Sequence, residues 1–343
     1  MRFIGGKSLL TDEIYNVIRE NAPDAETITD VFAGSGAVSL AIKKRNFRVI
    51  SNDFLYFSYV LSRATISLNK TPTFDGLDLP NIIDFLNTAP TDKLNYNRQT
   101  AFVYNNYSPG NGSERMYFQP ENALRIDAVR QQIQTWYKAG NINENEYFYL
   151  LATLIASIPY VANITGIFAA YLKYWDARTY KKLELRPLEI YDNHKKNICF
   201  NKDFSEILPC KTDVLYADPP YNSREYLPNY HILETVAKYD NPTITGITGM
   251  RDYSGQKSMF CKKNTVVDAF LYLLKNANAR YIMISYNNEG LISTEQLTDL
   301  CKMYAANGSF KLFEFPYRRY KNKIPNNKKG LREQIYFLQK RTQ

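Results

Sequence analysis

Asp218-Pro219-Pro220-Tyr221 follows directly on the apolar run Asp213-Val214-Leu215-Tyr216-Ala217. Such a run reads as a buried strand, and two successive prolines can neither continue a central strand nor begin a regular helix. The backbone is expected to leave the strand in a stiff turn at its carboxyl end, where open α/β sheets bind ligands. Pro220 completes a turn that presents one carboxylate, the Pro219 carbonyl and one aromatic ring in fixed relation. Those groups suit a planar exocyclic amine. Asp218 and the Pro219 carbonyl would accept its two hydrogens and concentrate its lone pair toward an incoming methyl group, while Tyr221 stacks on the ring. Adenine N6 is such an amine, and because a duplex hides it, the base would have to be flipped out.

A second constellation supplies the other half of that chemistry. Asp30-Val31-Phe32-Ala33-Gly34-Ser35-Gly36 follows an apolar stretch and opens a helix, and Asp53 ends the next strand, about where an acid meets ribose hydroxyls. The third glycine of a dinucleotide fingerprint is missing, so the pair alone points only to some adenosine cofactor. Joined to the Pro-Pro turn, it points to an adenosyl methyl donor. A sulfonium is already a good leaving group, so no metal is expected. The two histidines, His194 and His231, are expected to be structural or exposed.

The elements that must position these residues are legible as periodicity. Leu10, Ile14, Val17 and Ile18 recur at helical spacing. Thr27 to Phe32 reads as a strand, Ala37 to Arg45 as a helix, and Phe47 to Ser51 as a second strand. After an interruption the strand pattern resumes at Asn197 to Phe200 and Asp213 to Ala217, followed by helical spacing from Lys263 to Asn276 and a strand at Tyr281 to Ser285. Phe310 to Phe315 and Gln334 to Leu338 suggest an antiparallel pair closing the sheet edge. Between about 70 and 190 the rhythm breaks, with Pro, Asn and Tyr frequent between Thr71 and Pro120 and two long helices expected at 121–138 and 144–158. The segment from Tyr104 to Gly112 is turn-rich and reads as a mobile loop suited to reaching a ligand.

Composition narrows the class. The 343 residues are 45% hydrophobic and 22% charged, which fits a folded globular chain. Lys and Arg outnumber Asp and Glu by 43 to 34, favouring a polyanionic partner. Tyr is abundant and often adjacent to Asn, Lys or Arg, as on surfaces that stack bases between phosphate contacts. Cys199, Cys210, Cys261 and Cys301 are too widely spaced for a zinc site or a disulfide framework, so reduced thiols in a cytoplasmic protein are expected. The most apolar stretch, Tyr147 to Ala162, is too short to span a membrane and is interrupted at Pro159.

These motifs, in this order, resemble the Dam-like, α-type adenine-N6 DNA methyltransferases, most closely modification methylases of the FokI type. Phe3-Ile4-Gly5-Gly6-Lys7 looks like their N-terminal cofactor motif, Asp30 to Gly36 like their Phe-x-Gly-x-Gly motif, and Asn52-Asp53 like the ribose-binding acid. Asp203-Phe204 is similar to the pair that holds the cofactor adenine, and Asp218 to Tyr221 to the catalytic tetrapeptide. Asn222 to His231 looks FokI-like beyond the shared motifs. Phe3 stands where Dam itself carries a larger aromatic.

The resemblance implies a Rossmann-like, seven-stranded methyltransferase sheet formed by residues 1–65 and 190–343, with a mostly helical target-recognition domain inserted at 66–189. It implies S-adenosylmethionine as cofactor, held by Phe3, Ile4, Gly5, Lys7, Asp30, Phe32, Gly34, Ser35, Gly36, Asp53, Asp203, Phe204 and Asp218. It also implies double-stranded DNA as partner, with a cognate restriction endonuclease possible. No nuclease constellation is evident on this chain. Lys7, Arg115, Tyr117, Arg224 and Arg251, with Arg318, Arg319 and Lys321 in an alternating aromatic and basic run, are candidates for nucleic-acid contact. An RNA adenine, or an inactive nucleic-acid-binding protein of the same fold, stay open as alternatives. The leading acid of the tetrapeptide favours adenine, where the family's cytosine-N4 enzymes usually carry Ser and its glutamine enzymes Asn.

Overall fold

The computed structural model describes residues 5–316 and 332–341. Nine strands occur among them: β1 (Thr27–Asp30), β2 (Arg48–Asn52), β3 (Ile198–Phe200), β4 (Thr212–Ala217), β5 (Ile244–Thr245), β6 (Met250–Arg251), β7 (Ala279–Asn287), β8 (Lys311–Pro316) and β9 (Arg332–Gln339). Seven of them form one sheet in the order β3-β2-β1-β4-β7-β9-β8, while β5 and β6 form a separate hairpin. The first five strands of that order run parallel, and β9 is antiparallel to both β7 and β8. This is the expected α/β methyltransferase-type sheet with an antiparallel closing pair.

The chain divides into two compact units. Among the described residues, the sheet unit comprises 5–54, 193–226, 255–316 and 332–341. Its central strands have both faces covered: β4 buries Val214, Leu215, Tyr216 and Ala217 in succession, as a parallel strand packed on two sides must. The core gathers Val31, Leu215, Phe260, Phe270, Ile282 and Tyr336 with their neighbours. From β1 the chain steps outward to β2 and β3, then returns to place β4 on the other side of β1. The ends of β1 and β4, Asp30 and Ala217, therefore flank the point where strand order reverses, which is where such sheets open a ligand crevice.

The second unit comprises Leu55–Asp192 and Leu227–Ser254 among the described residues. It is larger than an insertion at 66–189, because the segment after the Pro-Pro turn returns to it. The Glu234 carboxylate, fully buried, accepts the backbone N–H groups of Tyr56 and Phe57 at the start of the helix Tyr56–Ser62. Arg130, from the helix Pro120–Lys138, donates to the carbonyls of Val236 and Ala237 and to the Tyr147 hydroxyl. Donors and acceptors left over at helix ends are thus satisfied by charged side chains from distant segments.

The helices Pro120–Lys138 and Glu144–Ser157 fall where their periodicity predicts. The segment 104–112 does not behave as the expected mobile loop. Phe102–Tyr107 is helical, Asp127 accepts the N–H groups of Val103 and Tyr104, and Tyr104 Oη donates to the Gly110 carbonyl at 2.6 Å. Buried Tyr104 and Tyr107 supply apolar anchoring that turn-forming neighbours conceal in the sequence. No helix of the described residues is long and apolar enough to cross a membrane.

Candidate active site

β4 delivers Asp218 to the reversal point, and the prolines turn the chain away from the sheet. Leu291 N–H donates to the Tyr221 carbonyl at 3.1 Å, tying the turn to the segment after β7. Gly5-Gly6-Lys7 lies against the turn from the other end of the chain. Gly5 has φ 71°, and a Cβ there would stand 2.9 Å from Tyr226 Oη and 3.4 Å from the Tyr221 ring, so only glycine permits this approach. The Tyr221 ring is only 4% exposed and meets Tyr286 edge-on at 6.5 Å.

Asp218 is held by charge. Lys7 Nζ lies 2.7 Å from Asp218 Oδ1, 3.3 Å from Glu333 Oε1 and 3.2 Å from the Gly5 carbonyl. Lys7 and Glu333 are almost wholly buried, whereas the Asp218 side chain keeps 17% of its exposure. One ammonium thus serves two carboxylates. Burial alone would lower the Lys7 pKa, but the charges of Asp218 and Glu333 outweigh it and hold Lys7 protonated. Asp218 is pushed up to about 6, chiefly by burial, with Lys7 opposing and Glu333 adding to the rise.

The glycine turn forms the adjoining wall. Gly34 and Gly36 take φ 54° and 75°, left-handed conformations that any side chain would strain. Gly36 precedes the helix Ala37–Lys43, and Ser35 sits between the two glycines. Asp53 Oδ2 accepts the Gly34 N–H at 2.7 Å, joining the ends of β1 and β2. Asp30 is buried, with Ser39 Oγ donating to Oδ2 at 2.7 Å and Oδ1 lacking a partner in ordinary geometry among the described residues. Burial raises Asp30 to about 7, and the nearby charges of Asp218 and Asp53 add to it. Phe32 and Phe204 pack at 5.7 Å, and both meet Phe260, at 5.4 and 5.2 Å. Asp203 caps the short helix Phe204–Ile207, accepting the Ser205 N–H.

The sheet unit therefore brings together Gly5, Lys7, Asp30, Phe32, Gly34, Ser35, Gly36, Asp53, Asp203, Phe204 and the Asp218 turn. Phe3 and Ile4 lie outside the described residues, as do Arg318, Arg319 and Lys321. Glu333, Ser285 and Phe260 are additions that sequence reasoning did not supply. An acid heading an apolar strand reads as solvated, and only the strand pairing carries Glu333 to Lys7.

Several expected nucleic-acid contacts are corrected. Tyr117 is fully buried, donates to the Phe168 carbonyl at 2.8 Å, and packs edge-on against Tyr107 and His231, leaving no face for a base. Arg251 is buried in a two-pronged pair with Asp240, with N–O distances of 2.6 and 3.0 Å. Arg115 donates to the carbonyls of Asn106, Gly246 and Ile247, pinning the β5–β6 turn. Lys7 is buried in its ion pairs rather than presented to a phosphate. Arg224 is exposed. His231 is structural, as expected: its Nε2 bonds the Phe168 carbonyl, and burial lowers it to about 4.

A family model described as D12 class N6 adenine-specific DNA methyltransferase matches residues 3–300. The Type II methyltransferase M.FokI of Planomicrobium okeanokoites is 43% identical over 342 residues, which cover 99% of this chain and 53% of that protein. Modification methylase StsI of Streptococcus sanguinis is 38% identical over 99% of this chain and 52% of its own length. The Type II methyltransferase M.NlaIII of Neisseria lactamica is 36% identical over 94% of this chain and 92% of its own. The chain thus spans about half the length of M.FokI and StsI and nearly all of M.NlaIII. With the tetrapeptide, the glycine turn and the sheet order in the arrangement described above, the chain belongs to the D12 class of N6 adenine-specific DNA methyltransferases.

Proposed function

We propose that this chain transfers a methyl group from S-adenosylmethionine to N6 of an adenine flipped out of duplex DNA, at a specific site, as the modification component of a restriction-modification system. The observation that carries the reading is Asp218, held by Lys7 at the reversal point of the sheet, beside the Gly34-Ser35-Gly36 turn.

The residues present fit the cofactor. Asp30, Asp53 and Asp218 form an acidic cluster close enough to perturb one another, which suits a ligand bearing ammonium and sulfonium charges. Asp53 would take the ribose hydroxyls, and Phe32 and Phe204, with Asp203, the adenine. When bound, S-adenosylmethionine supplies an electrophilic methyl on a sulfonium leaving group.

The chain's own residues do the rest. Asp218 and the Pro219 carbonyl accept the amino hydrogens and localise the nitrogen lone pair. Ionised Asp218 also favours the positive charge that develops on the nitrogen. Tyr221 stacks on the flipped base once Tyr226 and the Gly5 segment yield.

Contact with duplex DNA is assigned to a cleft of about 630 Å³ in the second unit, where Arg178, Lys181, Lys182 and Arg186 stand against Glu184 and Tyr160. Arg178 pairs with Asp176 and Arg186 with Glu184, so Lys181 and Lys182 carry the net positive charge that suits a phosphate backbone. Expression in a host lacking adenine methylation, followed by mapping of N6-methyladenine with Asp218→Ala as control, tests the function. Methylation at one sequence in wild type and none in the variant is expected; identical maps would refute it.

A further inference from the structure

Outside the motifs, the sheet unit holds a charged group that no part of the proposed reaction uses. Glu333 is the second residue of β9, opposite Asn287 of β7. It is 1% exposed, with Ser285 Oγ donating to Oε1 at 2.9 Å and Lys7 Nζ 3.3 Å from the same atom. A buried carboxylate is unfavourable unless paired, and this one shares its cation with Asp218. Around a single ammonium the two acids leave one net negative charge beside the reacting centre.

We propose that Glu333 is a positioning residue of the active site: it holds Lys7 against Asp218, and its charge governs how readily Asp218 accepts the substrate amine. The role rests on the methyltransferase reading for its consequence and on the ion-pair geometry for its existence. Three anchors, Gly5 O, Asp218 Oδ1 and Glu333 Oε1, receive Lys7 Nζ. Without Glu333 the ammonium would be committed to Asp218 alone, and the competition for its charge would end. The groups facing Asp218 are Lys7 from the N-terminal segment, Glu333 from β9, Asp30 from the end of β1 and Tyr216 from β4 itself. Of these, Glu333 is the acid that shares a cation with Asp218, and so the one whose removal most directly alters it.

The full chain, labelled with 13C at the aspartate carboxyl carbon, allows the Asp218 titration to be followed by NMR, with Asp218→Asn identifying the signal. Glu333→Gln keeps an oxygen acceptor for Lys7 but removes the charge, and is expected to lower the Asp218 midpoint by about one pH unit. The acid limb of kcat should move down equally, with the KM values for cofactor and DNA within about twofold of wild type. Glu333→Asp draws the carboxylate back from Lys7 and should give a smaller shift in the same direction; it serves in place of Glu333→Gln if that variant fails to fold. An unmoved midpoint in a folded variant, or a change confined to KM, overturns the proposal. A shifted midpoint in a protein that methylates no DNA would sink the functional reading while leaving the positioning role standing. Normal methylation with an unmoved midpoint would do the reverse.

Discussion

Lys7 Nζ lies 2.7 Å from Asp218 Oδ1, joining residues 211 positions apart through a contact that solvent barely reaches. Removing one member of such a pair strands the other in a poor solvent. Lys7→Met is expected to lower unfolding free energy by about 3 kcal/mol at pH 8. The loss should be smaller at pH 5, where Asp218 takes up a proton. Urea unfolding at the two pH values checks this, and equal losses at both would count against a charge-based role.

Asp30 provides a pH test of the folded state. Its carboxyl is raised from 3.8 to about 7 by burial, so between those values the folded chain binds more protons than the unfolded one. This group's contribution to stability therefore declines as pH rises through that window and is unchanged below it. Asp30→Asn should remove the decline, so the variant gains on wild type from pH 4 to 7 by no more than about 1.4 kcal/mol per pH unit. A stability difference independent of pH would contradict it.

Asp53 makes a prediction about the cofactor alone. It accepts the Gly34 N–H and stands beside the glycine turn. Asp53→Ala should weaken S-adenosylmethionine binding by about 1–3 kcal/mol, the scale of a lost charge-assisted hydrogen bond with its partner left behind. Isothermal calorimetry without DNA measures this directly, and unchanged affinity would remove Asp53 from the cofactor site.

The cleft and the corrected arginine make opposite predictions. Lys181→Glu with Lys182→Glu should weaken DNA binding and flatten its salt dependence by about two counterions, leaving thermal stability nearly unchanged. Arg251→Met should lower stability through the loss of the Asp240 pair, with the salt slope of DNA binding unaltered. Fluorescence anisotropy across a salt series, beside thermal melts, separates the two; the reverse pattern would place Arg251 on the DNA.

Much of the sheet unit is legible because its signals are local. The apolar run before Asp218, the prolines after it and the glycines at 34 and 36 each declare a backbone conformation within a few residues. The Glu333–Lys7 contact declares nothing locally, since it depends on β9 pairing between β7 and β8. Arg251 and Tyr117 fail for the opposite reason. Charge and aromatic character near Asn and Arg look like an exposed recognition surface, yet Asp240 and the rings around His231 make both residues interior. The return of 227–254 to the second unit rests on Glu234 and Arg130 satisfying helix ends far away in sequence, a relation that periodicity cannot register.

The position of β9 has a consequence for biosynthesis. Because this strand inserts between β7 and β8 and carries Glu333, the three-way ion pair on Lys7 cannot form on the ribosome until residues 332–339 have emerged. Translation products that stop before them lack the strand that joins β7 to β8 as well as the second anchor of Lys7. A nascent chain thus carries the tetrapeptide and the glycine turn long before it carries a completed catalytic centre.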